Sequence, residues 1–270
     1  MSPTDISVVM PTYNSSRTIA RCLESIRAQT VKCKELFVVD RQSKDGSKEV
    51  ALRNGAIVID NLGNRSVARN IGAKRATARG ILFVDSDMIL PRTLLQECAQ
   101  ALQTNQALII PEVSTGSGFW AECKRLERES YSGNSLLEAA RCFDLSQFLA
   151  LGGYNSKLEA GEDWDLQNRV NAHNLVVGRV KSWIVHDEGR ITLPSCMRKK
   201  YSYGKTIKEY LRLNPNAGVR QVNPFNRILA PAMATFPRHP VHAGGVLLMK
   251  SLELAAAAGG HMAGSVSHKE

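Results

Sequence analysis

Short apolar runs alternate with stretches of helical spacing over the first two-thirds of the chain. Ile6-Ser7-Val8-Val9-Met10 predicts a strand closed by Pro11-Thr12-Tyr13-Asn14. Ile19, Leu23 and Ile26 then mark one face of a helix, with Ser15 and Ser16 placed to cap it. Leu36-Phe37-Val38-Val39-Asp40 reads as a second strand. Ser43-Lys44-Asp45-Gly46-Ser47 carries turn and cap chemistry, and a helix from Ser47 to about Asn54 and a strand Ala56-Ile57-Val58-Ile59 follow. Gly63-Asn64-Arg65-Ser66 opens a helix running to about Ala78, and Ile81-Leu82-Phe83-Val84 is a buried strand that ends in Asp85-Ser86-Asp87. Pro91 starts a helix through Leu94, Leu95, Cys98 and Leu102. A strand Leu108-Ile109-Ile110, a loop Thr115-Gly116-Ser117-Gly118 and a helix from Phe119 to about Tyr131 come next. Strands separated by helices in this rhythm predict an α/β fold, a parallel sheet with helices on both faces. Ligands of such sheets bind beyond the carboxyl ends of the strands, where Tyr13, Asp40, Asp85 and Asp87 fall.

The second half is less regular. Asp144 to Leu151 reads as a short strand and helical turn ended by Gly152-Gly153. Gly161-Glu162-Asp163-Trp164-Asp165 is an acidic cluster that opens a helix through Leu166 and Val170. Leu175 to Val185 reads as a strand pair or one long strand ending at His186. Thr192 and Pro194 start a helix through Met197, Tyr201, Ile207 and Leu211. Beyond Pro215, the prolines at 224, 231, 237 and 240 predict short secondary structure. Val241 to Ala258 is apolar but interrupted by Lys250 and Glu253. It predicts an amphipathic helix, packed on the protein or on a membrane, in preference to a spanning one.

The candidate chemistry starts at Asp85 and Asp87. On an extended strand, residues two apart leave the same face, so both carboxylates can reach one cation or its hydration shell. Mg²⁺ or Mn²⁺ takes one or two protein carboxylates and fills its remaining positions with water and phosphate oxygens. His186, leaving an apolar strand at the same sheet end, is a candidate third ligand. The plainer readings are a solvated strand end at Asp85-Ser86-Asp87, a structural histidine, and helix-capping charges at Asp163 and Asp165. Arg69 and Asn70 lie in the first turns of their helix, where backbone amides favour an anion.

With 270 residues, 43% of them apolar, the chain can bury a full core. Its six cysteines are scattered without a C-x-x-C pair, which predicts reduced thiols and neither a disulfide frame nor a zinc site. Met1-Ser2-Pro3-Thr4-Asp5 leads into the first strand without a targeting pattern, so the expected location is cytoplasmic. The net charge of +10 is concentrated late: from Arg190 onward there are twelve Lys and Arg against three Glu and no Asp. This basic segment is either a solvated face or the place where the chain meets an anionic membrane surface. It lacks any nucleic-acid-binding module pattern, and no nucleic-acid partner is expected.

Five motifs in order resemble family 2 nucleotide-sugar glycosyltransferases. They are Pro11-Thr12-Tyr13-Asn14, Asp40 with Ser43, Asp45 and Gly46, Ala68-Arg69-Asn70-Ile71-Gly72, Asp85-Ser86-Asp87, and Gly161-Glu162-Asp163. The resemblance covers roughly residues 5–190. It implies a GT-A fold, a Rossmann-like mixed and mainly parallel sheet flanked by helices, over 1–190, with a basic helical C-terminal extension over 191–270. It also implies metal-dependent sugar transfer with inversion, from a UDP- or GDP-sugar to a hydroxyl acceptor such as a lipid-linked or cell-surface glycan precursor. Carried over by position, the donor contacts are Pro11, Thr12, Tyr13, Asp40, Arg69, Asp85 and Ser86, with Thr12 and Tyr13 lining the base pocket and Asp40 bonding the base. The metal ligands are Asp87, Asp85 and His186. Asp163 is the catalytic base, with Glu162 beside it. Arg41-Gln42 stands where the family more often has a second acidic residue and glycine. A retaining transferase of the same fold, a sugar nucleotidyltransferase and a non-catalytic nucleotide-sugar binder are the competing readings. Peripheral membrane contact is expected through residues 191–258, on the inner face of the cell membrane.

Overall fold

The structure is a computed structural model that describes residues 5–266. The chain runs β1 (Ile6–Thr12), α1 (Ile19–Arg27), β2 (Glu35–Asp40), α2 (Ser47–Arg53), β3 (Ile57–Asp60), α3 (Arg65–Arg75), β4 (Gly80–Phe83), β5 (Met88–Ile89) and α4 (Leu94–Ala101). It continues through β6 (Ala107–Ile109), β7 (Glu112–Ser117), α5 (Phe119–Glu129), β8 (Ala140–Asp144), α6 (Leu145–Ala150), α7 (Glu162–Ala172), β9 (Val177–Arg179) and β10 (Ile184–Arg190). The C-terminal part is helical: α8 (Leu193–Leu213), α9 (Pro215–Val222), a π-helical turn (Phe225–Leu229), α10 (Ala230–Thr235) and α11 (Pro240–Val266). Two compact units are formed. The larger takes the chain through Pro111, Ala139–Ser156 and Leu166–Asp187, and the smaller takes Glu112–Glu138, Lys157–Asp165 and the chain from Glu188. The last division falls at 187/188, and two earlier segments, Glu112–Glu138 and Lys157–Asp165, belong to the smaller unit.

The larger unit carries the expected mixed, mainly parallel sheet, in the order β3-β2-β1-β4-β8-β6-β9. β1 runs parallel to β2 and β4, β2 to β3, and β6 to β9; β8 is antiparallel to β4 and β6. Every residue of β1 is buried because the sheet is covered on both sides. Alternation sorts the side chains. Val8, Met10, Val38, Leu82 and Val84 meet α1 and α4 through Leu23, Ile26, Leu94 and Cys98, whereas Val9, Val39, Ile81 and Phe83 face α3 and α6 through Ala68, Ala73 and Phe148. On that second face Phe83, Phe143, Phe148 and Tyr154 form an aromatic cluster in which Phe83 and Phe148 each meet the other three rings.

Several expected details differ. The cap of α1 is Thr18, without a side-chain bond, and Ser15 serves through its carbonyl, which accepts from the amides of Thr18 and Ile19. The glycine- and serine-rich segment 115–118, expected to be a loop, is mostly the end of β7. A Cβ at Gly116 would lie 2.4 Å from the Gly189 carbonyl oxygen, so the close backbone approach needs glycine there. His186 lies within β10, two residues after its start, and not at a strand end.

In the smaller unit the prolines begin helices. Pro215 and Pro240 are the first residues of α9 and α11, Pro224 precedes the π-helical turn, and Pro231 is the second residue of α10. Short pieces after Pro215 were expected, and they give way at Pro240 to one helix of 27 residues. α11 approaches α8 through small residues: a Cβ at Gly204 would meet the Ala257 carbonyl oxygen at 2.1 Å, and one at Gly260 the Tyr201 carbonyl oxygen at 2.0 Å. Glu127 of α5 is buried with two lysines, at 2.6 Å from Lys124 Nζ and 2.8 Å from Lys250 Nζ, and accepts from the Tyr131 hydroxyl at 2.8 Å. Burial pushes the Glu127 carboxyl upward, but Lys124 and Lys250 outweigh it and hold the group well below the usual carboxylate range.

Gly72 gives a direct test of the packing. A Cβ there would sit 2.4 Å from Val9 Cγ1, with Val9 fully buried in the middle of the sheet. Gly72→Ala gains up to about 1 kcal/mol of helix propensity but incurs about 1–3 kcal/mol of overpacking. The variant should unfold at lower urea concentration than the wild type; an unchanged or higher midpoint would contradict this α3–β1 packing.

Candidate active site

At the carboxyl end of β1 and β2, two loops are stitched together. The Asn14 amide donates to Ser43 Oγ at 2.9 Å, and the Lys44 amide donates to Asn14 Oδ1 at 3.0 Å. Asn14 and Gln42 both hold positive φ, 45° and 53°, strain of the kind that rigid surroundings keep at ligand-facing rims. Asp40 is fully buried and accepts from the amide and hydroxyl of its own turn residue Ser43, at 2.8 and 2.6 Å. Pro11 and Thr12 are buried at the end of β1, with Thr12 paired to Asp40, and Thr12 Oγ1 has no hydrogen-bond partner among the described residues. Tyr13 is 59% exposed, with the Arg41 guanidinium 5.6 Å from its ring centroid. The pair offers a flat cationic surface suited to stacking a planar ring.

The Asp85-Ser86-Asp87 segment departs from the strand geometry expected of it. β4 ends at Phe83, and the Met88 amide donates to the Asp85 carbonyl at 3.0 Å, closing a turn. The two carboxylates therefore do not share a strand face. Asp85 meets Arg69 at 2.9 Å and Arg141 at 3.4 Å. Burial raises its pKa, but Arg69, Arg141 and Arg65 outweigh it and hold the carboxyl well below its ordinary value. Arg69, expected near the base or diphosphate, is fully buried, with its guanidinium 4.8 Å from the centroid of the Tyr154 ring. In the structure it fixes Asp85.

Asp87 points elsewhere. Its Oδ2 lies 3.0 Å from His186 Nε2, and its side chain is 37% exposed. His186 is brought there by the antiparallel pairing of β10 with β5, which sets it opposite Met88. The next residue, Asp187, donates its amide to the Asp87 carbonyl at 2.8 Å and is gripped by Arg17 and Arg21 of the loop and helix that follow β1. Ser86 Oγ donates to Ser15 Oγ at 2.8 Å. Among the described residues, no three His, Cys, Asp or Glu side chains are gathered for a metal, so Asp85, Asp87 and His186 do not form one ligand set. The reason is the pair of arginines on Asp85. Asp87 and His186 alone still suit a divalent cation, which needs only one or two protein ligands when phosphate oxygens supply others. Asp87 Oδ1 is buried without a hydrogen-bond partner among the described residues, a cost of about 1–3 kcal/mol that such a ligand relieves.

The second acidic cluster lies in the smaller unit. Glu162, Asp163 and Asp165 occupy the first turn of α7, where the helix dipole favours negative charge. Asp165 is buried and accepts from Asn214 at 3.1 Å, and Glu162 is buried. Asp163 is the member of the three that keeps partial exposure. Gly161 sets the turn, with φ +79° and the Tyr210 ring where a Cβ would lie, 2.8 Å from its nearest atom.

Arg141, Tyr154 and the Arg17–Asp187–Arg21 clamp went unnoticed in the sequence. Arg141 lies 56 residues from Asp85 and belongs to no motif, so only the β4–β8 pairing reveals it.

Comparisons with known proteins identify the fold and the family. The fold is that of GT-A transferases: a mannosyltransferase of Pyrobaculum calidifontis, solved in complex with GDP-Man and Mn²⁺, superposes with a TM-score of 0.66 at 17% identity, covering 97% of this chain and 88% of the other. Staphylococcus aureus TarS 1-349, solved with UDP-GlcNAc, gives 0.58 at 16% identity, covering 98% and 91%. Residues 7–153, more than half of the chain, match the profile "Glycosyl transferase family 2", and the chain belongs to that family of enzymes. Among curated relatives, glycosyltransferase GlyG of Streptococcus pneumoniae is 30% identical over 112 residues, 39% of this chain and 37% of GlyG. The poly(ribitol-phosphate) β-N-acetylglucosaminyltransferase TarP of S. aureus is 32% identical over 115 residues, 39% of this chain and 35% of TarP. WfgD of Escherichia coli, a UDP-Glc:α-D-GlcNAc-diphosphoundecaprenol β-1,3-glucosyltransferase, is 33% identical over 106 residues, 37% of this chain and 42% of WfgD. The matches thus span well under half the length of these relatives.

The arginine pair on Asp85 predicts a pH signature. Asp85→Asn strands Arg69 without its counter-charge and should cost about 3 kcal/mol at neutral pH. Because the native carboxyl titrates below the unfolded one, its stabilisation is complete above the unfolded value of about 4 and is lost as pH falls towards the native pKa. Urea titrations of both proteins should show a gap at pH 7 that narrows below pH ~4. A gap independent of pH would show that the charge on Asp85 is not what stabilises the fold.

Proposed function

We propose that the protein is an inverting, metal-dependent glycosyltransferase that moves a sugar from a nucleoside-diphosphate donor to a hydroxyl acceptor of a cell-surface glycan. The observation that carries this reading is the division of labour within Asp85-Ser86-Asp87: one carboxylate committed to arginines, the other half-open, beside His186, with an unpartnered oxygen. Such a group is what a diphosphate-bound cation requires. Asp87 and His186 would hold Mg²⁺ or Mn²⁺, which when bound stabilises the negative charge that develops on a departing diphosphate. Thr12, Tyr13 and Arg41 would receive the nucleobase, Tyr13 and Arg41 by stacking, and Pro11, Asp40 and Ser86 shape the loops around it.

An acceptor hydroxyl is a poor nucleophile until its proton is removed, and in this reading Asp163 removes it. Its partial exposure at the start of α7, next to buried Glu162 and Asp165, supports that choice. The donors named for the related structures, GDP-Man and UDP-GlcNAc, support a nucleotide-sugar donor here, and the diphosphoundecaprenol acceptor in the name of WfgD supports a lipid-linked one.

The test starts from a thermal-shift panel of UDP-, GDP- and dTDP-sugars with and without Mn²⁺, since a ligand bound by the native state raises the melting temperature. One donor class should stabilise the wild type in a Mn²⁺-dependent manner, and Asp87→Ala should remove that shift. Asp163→Asn should keep it while losing at least about 100-fold in turnover. The product should be the inverted anomer and the released nucleotide a diphosphate. A retained anomer, release of pyrophosphate, or full turnover by Asp163→Asn would each overturn the mechanism.

A further inference from the structure

The last helix of the smaller unit, α11, distributes charge in the opposite sense from a water-facing helix. α11 has two charged residues between Pro240 and Gly264, Lys250 and Glu253, and both are turned inward at 4% exposure. Lys250 contacts Glu127 and Glu253, and Lys124 of α5 lies 3.8 Å from Glu253. The outward positions of the same helix include Val241, Leu247, Leu248, Leu254 and Met262, with no charge among the described ones. The segment before it repeats the pattern. Ile228, Pro231 and Thr235 are buried, while the opposite side, at helical spacing, exposes Phe225, Leu229, Met233 and Phe236, from 46% for Leu229 to 65% for Met233. The π-helical turn, α10 and α11 pack on one another, so these side chains belong to one neighbourhood.

The charge that is exposed here has one sign. Between Leu213 and Gly264 the single acidic residue is Glu253, which is buried, whereas Arg220 and Arg238 are exposed at either end of the apolar segment. The lysines and arginines of α8 add Arg198, Lys199, Lys205 and Lys208 as further exposed cations of the same unit. Glu122 and Glu129 on α5 and Glu209 on α8 are partly exposed too, but each is paired with an arginine of its own helix. An apolar segment flanked by unmatched arginines suits an anionic bilayer surface, where acyl chains take the apolar side chains and headgroups take the cations.

We propose that the smaller unit docks on an anionic membrane through Phe225, Leu229, Met233, Phe236, Val241 and Leu248, with Arg220 and Arg238 against the headgroups. The unit lies on the bilayer and does not cross it. α11 is long and apolar enough to span, but only by length and composition. Spanning would carry Lys250 and Glu253, with the α5 residues bound to them, to mid-bilayer depth, where ionised groups are costly. The inference concerns attachment and does not depend on the sugar-transfer reading.

Vesicle flotation of the full chain tests it, using phosphatidylcholine alone and equal parts of phosphatidylcholine and phosphatidylglycerol. The wild type should float with the mixed vesicles, bind the neutral ones at least about tenfold less, and be released by alkaline carbonate. Phe225→Ser/Met233→Ser/Phe236→Ser and, separately, Arg220→Glu/Arg238→Glu should each reduce flotation about tenfold or more. All these positions are exposed, and an unchanged melting temperature and circular dichroism spectrum identify variants that remain folded. Failure to bind mixed vesicles, binding that both folded variants retain, or resistance to carbonate would overturn the proposal. So would a wild type that is dimeric by light scattering and is made monomeric by the serine substitutions, because a second copy would then occupy the face.

Discussion

A guanidinium sealed from water has to meet a carboxylate, and at Arg69 that requirement fixes the end of β4. The Arg69 side chain is fully buried, and desolvation on that scale costs several kcal/mol unless the charge is paired and hydrogen-bonded. Asp85 supplies the pairing at 2.9 Å, and Arg141 approaches its other oxygen at 3.4 Å. With Asp85 held, the chain turns at once into Met88 and does not run on as a strand. The turn puts Asp87 on a course of its own. β10 then pairs with β5, and alternation along β10 gives His186 to Asp87 and Asp187 to Arg17 and Arg21. One buried ion pair thus determines where the open carboxylate stands.

The sheet was largely legible in the chain, because strands covered on both sides read as unbroken apolar runs bounded by turn residues. Phe37-Val38-Val39 and Ile81-Leu82-Phe83 could hardly be anything else. The candidate site was legible as a set of residues but not as a geometry. Asp85 and Asp87 two positions apart suggested one strand face, yet a turn closed by the Asp85 carbonyl separates them. Arg69 read as a ligand contact because an arginine at a helix start often is one. Its burial and the Tyr154 ring above it follow from a partner 85 positions further on in the sequence, which no local pattern discloses. Gly72 was legible as a motif member and opaque as to cause, since the close passage of α3 over Val9 appears only with the fold.

The C-terminal helices resisted reading for a different reason. Lys250 and Glu253 interrupt an apolar stretch, and in a soluble amphipathic helix such charges mark the water side. Here they point inward, because α5 brings Lys124 and Glu127 to meet them and each charge finds an opposite one. A hydropathy profile records that charges are present but not which way they face. The arrangement is costly in desolvation, and partner replacement by apolar residues is often neutral or stabilising elsewhere. Its effect here is geometric: it locks the middle of α11 to α5 and leaves the apolar side outermost.

Two carboxylates two residues apart end in unlike surroundings, and that difference bears on where the proposed diphosphate would find positive charge. Arg69 is sealed off and Arg141 nearly so, and both already face Asp85, so neither is positioned as a mobile counter-charge for a ligand. Arg65, half-buried at the start of α3, is close enough to lower the Asp85 pKa. In the proposed reaction a departing diphosphate would gain negative charge, and side chains that are already neutralised add little field of their own. A cation held at Asp87 and His186 would add its charge where an oxygen lacks a partner, without disturbing the arginine pair that keeps the turn in place. In that proposal, the lock that removes Asp85 from the ligand set is also what would leave Asp87 available to a cation.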